Sequence, residues 1–224
     1  MGALHSTLLL CGLLAAGTAA GGEASLPAFP GAEGFGAASK GGRGGKVIKV
    51  TTLKATGPGS LQEACSAKGP RIVVFDVCGV IKPQGRKNRG ITITEPEIYI
   101  AGQTAPGGGI TIDGMLRTKY GIKPSLHDVT VRFLRCRPTG ATGSGGDCLQ
   151  MTDVDRLIVD HVSVSWGCDE NMDLCNSRDF TVQWCAIEES GDSGHPEGKH
   201  NFGMIMGYAG RNASLHHNLF AHHF

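Results

Sequence analysis

The chain has 224 residues, among them 35 glycines and 6% aromatics, and its formal net charge is +1. That length supports one sizeable core or at most two small domains. A near-neutral balance without a basic stripe excludes a nucleic-acid binder, and abundant glycine favours many tight turns over long helices.

Residues 1–20 read as a secretion signal. Leu8 to Ala16 is an apolar run, and small residues follow to Ala19 or Ala20. No Lys or Arg precedes the run, so only the amino terminus and His5 supply charge there. The run is too short to span a bilayer, and no later segment reaches that length. The expectation is a secreted, extracellular monomer with no membrane partner, in which residues 21–224 form a single domain. Seven cysteines remain after the signal: Cys65, Cys78, Cys136, Cys148, Cys168, Cys175 and Cys185. Export would allow disulfides, with Cys168 and Cys175 placed to tie down the acids between them. No CxxC pair supports a zinc site. Asn212-Ala213-Ser214 is a glycosylation sequon in an exported chain.

Residues 21–45 are Gly-rich loop, and the "GGRGG" within them lacks the Lys-Ser/Thr ending of a phosphate loop. Val47 to Leu53 alternates like a strand. Gly57 to Gly69 holds one short helix, with Ser60 as N-cap and Glu63 three residues later, placed to cap the open end of a sheet stack. A strand starts at Arg71. Short β-rich runs then recur at Ile91–Thr94, Glu97–Ala101, Gly109–Asp113, Asp128–Leu134, Arg156–Val164, Phe180–Ile187 and Ser214–Phe220. Four of them open alike, as "HDVTV", "DRLIV", "RDFTV" and "RNASL". Their anchors Val131, Val159, Val182 and Leu215 are 28, 23 and 33 residues apart, a solenoid spacing with variable loops. A β-sandwich would show hairpin turns, and Asp113-Gly114 is the one plausible case. The predicted fold is all-β, a right-handed parallel β-helix with one short N-terminal capping helix.

The candidate chemistry is acidic. In "SVSWGCDENMDL", Asp169 and Asp173 are four residues apart just past a strand, with Glu170 between them. Asp147, in "GGDCLQM", precedes another short strand. Stacked coils would set Asp147 across one rung from Asp169 and Asp173. Such carboxylates repel unless a cation joins them, and hard oxygen ligands suit Ca2+. The same acids would also serve a glycoside hydrolase, one as acid and one as base or nucleophile. Solvated turn acids are the plainest reading of the spacing.

Other residues offer less. Asp160 and His161 are neighbours on a strand, so they should point to opposite faces and form no couple. His216, His217, His222 and His223 crowd the C-terminus without companion ligands. Lys199 and His200 precede a short strand in the coil after the acids, where a cation would meet an anionic sugar. Arg132, Arg135 and Arg137 form a basic run able to meet uronate carboxylates in a groove.

The blocks "FPGAEGFGAASKGGRGGKVIKVTTL", "GPGSLQEA", "IAGQTAPGGGITI", "GDCLQM", "VDHVSVSW" with "DENMD", "TVQWCAIEES" and "SLHHNLFAHH" resemble, in kind and in order, the pectate lyases of polysaccharide lyase family 1. The likeness covers nearly all of residues 28–223. It implies a pectin lyase-like β-helix, secretion, and Ca2+-dependent β-elimination of polygalacturonate (pectin). It also implies Asp147, Asp169 and Asp173 as calcium ligands and Lys199, or else His200, as the residue meeting the substrate carboxylate. The family's general base is an arginine in an "R-x-P-R"-like stretch after the "HHN" strand. No residue of this chain matches it, so the sequence reads as C-terminally truncated. An inactive or purely polysaccharide-binding β-helix and a pectin-acting hydrolase stay open beside the lyase.

Overall fold

In the computed structural model, which describes residues 26–84, 90–140 and 145–223, the chain winds through three parallel sheets of seven, six and five strands. The expected signal at residues 1–20 lies outside the described residues. The seven-stranded sheet holds Lys46–Val50, Arg71–Phe75, Ile98–Ala101, Leu126–Arg132, Val154–Asp160, Arg178–Gln183 and Arg211–His216. The six-stranded sheet holds Gly79–Ile81, Ile110–Ile112, Leu134–Cys136, Ser163–Val164, Ala186–Glu188 and Leu219–Ala221. The five-stranded sheet holds Gly90–Ile93, Met115–Thr118, Leu149–Gln150, Glu170–Asp173 and Phe202–Ile205. From Arg71 onward each coil visits the three sheets in that order, so every strand pairs in parallel with its counterpart one coil away. This is the parallel β-helix, and crossovers between parallel strands take the right hand.

Stacking builds the core. Val131, Val159, Val182 and Leu215 pair directly across the seven-stranded sheet, as their spacing implies. Ile98, Val129, Leu157 and Phe180 make a second inward column, all buried. No coil could bury these side chains alone; neighbouring coils cover all but Leu215, which is 40% exposed in the last described coil. Asp113-Gly114 makes no hairpin, because the strands on either side of it belong to different sheets.

Four runs read as single strands are each two. Phe133, His161, Trp184 and His217 follow strands of the seven-stranded sheet with φ of 54°, 53°, 54° and 56°. One residue in this left-handed region swings the chain onto the six-stranded sheet. The four rings stack along the outer corner, with centroids 4.5, 6.1 and 4.2 Å apart in turn, and these contacts offset part of the backbone strain. The same bend overturns the expectation for Asp160 and His161. His161 has left the strand, and its Nδ1 lies 2.9 Å from Asp160 Oδ2. Asp160 is fully buried, receives Arg132 Nε at 2.6 Å and Gln183 Nε2 at 2.7 Å, and is structural.

The helix Leu61–Ser66 closes the N-terminal end by burying Leu61, Ala64 and Cys65. Half of the expected capping box forms: Glu63 N–H donates to Ser60 Oγ at 3.2 Å, while Glu63 Oε2 accepts from Gly59 N–H, one residue before the N-cap, at 2.7 Å. Residues 31–40 strap the outer face of the seven-stranded sheet. Gly36 N–H donates to Thr181 Oγ1, Lys40 N–H to Asp128, and Gln183 Nε2 to the Gly31 carbonyl. The seven described cysteines, six of them buried, form no disulfide with one another, so Cys168 and Cys175 are not linked to tie down the acids. Among the described residues no helix is long and apolar enough to cross a membrane.

Candidate metal and substrate site

The acids gather on the outside of the five-stranded sheet. Asp169 to Asp173 does not simply trail a strand; Glu170–Asp173 is itself a strand, paired with Leu149–Gln150 on one side and Phe202–Ile205 on the other. Asp147 sits just before Leu149–Gln150, one coil below. Carboxylate oxygens of Asp147, Asp169 and Glu170 lie within 4.8 Å of one another. Asp173 joins the group through Gln150, whose Nε2 is 3.1 Å from Asp147 Oδ2 and 3.4 Å from Asp173 Oδ2. Asp173 also accepts from Thr152 Oγ1 at 3.3 Å and, through Oδ1, from Cys175 N–H at 2.7 Å. Glu170 N–H donates to Asp147 Oδ1, and Gly145 N–H donates to Asp169 Oδ2.

Burial sets the electrostatics. Asp147, Asp169 and Glu170 are 1%, 9% and 8% exposed. The Asp147 carboxyl is pushed up to about 7, first by burial and then by the charges of Asp173 and Asp169, against the opposing hydrogen bond from Glu170 N–H. Glu170 is raised as well, by burial and then by Asp169, Asp147 and Asp173. Left alone, the cluster takes up protons near neutrality; a cation would restore its full charge. The donors are oxygens, buried and mutually repelling, which fits calcium.

Two histidines lean on the same carboxylate. His200 Nε2 is 3.2 Å and His195 Nε2 3.8 Å from Asp169 Oδ1, and their rings stack 4.1 Å apart. His200 lines a cleft of about 490 Å³ together with Gln150, Asp169, Asp173, Tyr120 and Tyr208. Lys199 is exposed on the loop ahead of Phe202–Ile205 and is not among the cleft's lining residues. The C-terminal histidines take part in no three-ligand group among the described residues; His223 instead meets Ser190 Oγ at 2.6 Å and the Ile187 carbonyl at 2.8 Å.

The basic run does not enter the cleft. Arg132 pairs with Asp160 and covers the Phe29 ring at 3.6 Å. Arg135 reaches Thr111 and the Gly108 carbonyl, and Arg137 holds Ser163, both from the six-stranded side. Gln150, Thr152 and His195 are the site residues that sequence reasoning missed. Gln150 lies inside the "GDCLQM" block, but its partners emerge only from its pairing with Asp173.

No protein-family model matches the chain. Curated relatives do. A protein of Aspergillus fumigatus named "Probable pectate lyase C" is 41% identical over 197 residues, 88% of this chain and 43% of its own. One of Emericella nidulans with the same name is 39% identical over 218 residues, 97% of this chain and 46% of its own. The chain thus spans less than half the length of these relatives. Among solved structures, Jun a 1, the major allergen from cedar pollen, matches over 70% of this chain and 49% of its own, with a TM-score of 0.56 at 19% identity, and so shares the fold. On its sequence relatives and its three parallel sheets, the chain belongs to the pectate lyase family of parallel β-helix proteins.

Proposed function

We propose that the chain carries the cation and substrate site of a secreted, calcium-dependent pectate lyase that cleaves polygalacturonate by β-elimination. The observation that carries this reading is the buried carboxylate cluster of Asp147, Asp169 and Glu170, with Asp173 tied to it by Gln150, opening into a cleft on one sheet face.

Asp147, Asp169, Asp173 and Glu170 would hold the ion. When bound, calcium supplies the positive charge that offsets the C6 carboxylate of a galacturonate and the enolate-like charge that develops as C5 loses its proton. Gln150 keeps Asp147 and Asp173 turned toward one point, and Asp169 is fixed from behind by Gly145 N–H and His200. Lys199 is proposed to meet the substrate carboxylate from the loop; His200 faces the cleft itself. In the elimination the C5–H bond breaks, its electron pair forms the C4–C5 double bond, and the C4–O bond breaks to release the other sugar chain. No water is consumed. The described residues include none to which proton abstraction is assigned.

The test has two readings. Calorimetric titration of the chain with calcium, then with polygalacturonate, should show calcium binding and calcium-dependent polymer binding. Ultraviolet absorbance of the unsaturated product, followed with calcium and with excess chelator, then separates the chemistries. Saturated ends formed without calcium would assign a hydrolase, and binding without product would assign a binding module.

A further inference from the structure

We propose that a cleft at the N-terminal end of the stack, lined by Lys54 and Lys82, is a calcium-independent docking site for a polyuronate strand, remote from the acidic cluster. This rests on the polygalacturonate reading above.

In a stacked coil, chain order is axial order. The near-neutral net charge therefore hides a stack polarised from end to end. Residues 46–90 carry nine Lys and Arg against two acids, Glu63 and Asp76, whereas residues 145–223 carry four against twelve. Without calcium the acidic coils repel a polyanion, and the N-terminal coils attract it.

The cleft gives that attraction a seat. It encloses about 600 Å³ and is lined by the segment that follows Lys46–Val50 and by residues of and after Gly79–Ile81, the outermost strand of the six-stranded sheet. No carboxylate lines it. Lys54 and Lys82 are both exposed, and neither pairs with a carboxylate among the described residues. The other cations of these coils are partly committed: Lys49 pairs with Asp76 at 3.1 Å, and buried Arg71 donates to backbone carbonyls. Thr52, Thr56 and Gln84 add hydroxyl and amide groups able to meet sugar hydroxyls. Val80, 44% exposed, offers an apolar surface to the C–H face of a ring. Two free cations among neutral hydrogen-bonding groups suit hydroxylated rings that bear carboxylates. A methyl ester would remove the charge that the lysines need.

The site stands apart from the acids. Glu170–Asp173 lies three coils further along the axis, about 14 Å at the usual strand spacing, and in a different sheet. A polymer strand held at the cleft leaves the acids free to take calcium.

The test measures binding of polygalacturonate to the chain by calorimetry in excess chelator, where the acidic cluster holds no ion. Binding should persist at low salt and weaken as salt rises from about 0.01 to about 0.1 M, because the screening length falls from about 30 to about 10 Å. Fully methyl-esterified polymer should not bind. The double variant Lys54→Gln, Lys82→Gln should lose about fivefold or more of the affinity in chelator. Its calcium affinity and circular dichroism should equal those of the original chain. Lys68→Gln removes an exposed lysine outside the cleft and should change affinity by less than about twofold. No binding in chelator, or unchanged affinity in the double variant, overturns the docking site and leaves the calcium-dependent reading standing. A loss in Lys68→Gln as large as in the double variant overturns the cleft as the seat of binding. Failure to bind polygalacturonate with calcium as well as without it overturns the polygalacturonate reading, and the docking site falls with it.

Discussion

Gln150 Nε2 donates to Asp147 Oδ2 at 3.1 Å, joining a buried acid of one coil to an amide on the strand that follows it. The same nitrogen lies 3.4 Å from Asp173 Oδ2, in the next coil. One neutral side chain therefore holds two acids in place without adding charge. Gln150→Leu removes that donor from Asp147, which is already 1% exposed, and from Asp173. Calcium affinity should fall by about 10–100-fold, the usual effect of losing a group that orients metal ligands. Isothermal titration with calcium reads this directly; equal affinity in the variant would show that the acids hold their positions unaided.

Stability of the metal-free chain should depend on pH in the sense opposite to that of most proteins. Asp147 has an unfolded value near 4 and a folded value of about 7, so the folded state binds the extra proton between them. Stability from this group is present at low pH and is lost as pH rises from about 4 to about 7, by roughly 4 kcal/mol at most. Denaturant melts in chelator at several pH values should show the decline. Calcium should reverse it, and Asp147→Asn should flatten it. Asp128 works the other way: burial would raise it, but hydrogen bonds from Arg156, Lys40 N–H and His127 outweigh burial and bring it to about 2. Its contribution is complete above pH 4 and fades as pH falls toward 2. A metal-free chain whose stability rises between pH 5 and 7 would contradict the cluster geometry.

The repeat was legible because Val131, Val159, Val182 and Leu215 face inward at one register, and branched apolar residues announce themselves. The corners were not. Phe133, His161 and Trp184 carry no turn chemistry, and only stacking on the neighbouring coil explains their left-handed φ. The five-stranded sheet was legible only in part. Ile91–Thr94 and the short strands after Asp147 and after His200 could be read, but Glu170–Asp173 is too acidic to read as a strand, and it carries the site. Asp147, Asp169 and Asp173 could be named from a motif. Gln150 stands in the same block as Asp147, but its role could not be read there, since it depends on which strands lie side by side.

Gly36 marks where the N-terminal strap meets the sheet. A Cβ there would lie 2.1 Å from the Leu157 carbonyl oxygen and 2.6 Å from Thr181 N, both backbone atoms that cannot give way. Gly36→Ala should therefore lift the strap, break the bond from Gly36 N–H to Thr181 Oγ1 and expose residues 31–40. The expected loss is about 2 kcal/mol or more, with faster proteolysis in this segment and calcium binding unchanged. Protease resistance equal to that of the original chain would mean that the strap shifts sideways at no cost.

Arg71 sets the other end of the stack. It is 1% exposed, and its guanidinium donates to five carbonyls, those of Ala64, Cys65, Gly69, Glu95 and Pro96. Two of these lie at the C-terminal end of the capping helix and two on the turn before Ile98–Ala101, so one side chain ties the cap to the first full coils. Burial lowers its pKa, with the charges of Cys65, Glu95 and Glu97 working against that, and it stays protonated at neutral pH because arginine begins so high. Arg71→Met keeps the apolar stem but removes the charged donor from all five carbonyls, leaving Ala64 and Cys65 only their backbone donors from Ala67 N–H and Thr94 N–H, which should cost about 3–5 kcal/mol. Arg71→Lys offers three donors in place of five and should lie between the two. Hydrogen exchange should then show early opening at residues 61–66 while Val154–Asp160 stays protected, because the coils at the far end keep their own stacking. Uniform loss of protection along the whole chain would show instead that the cap and the stack unfold as one unit.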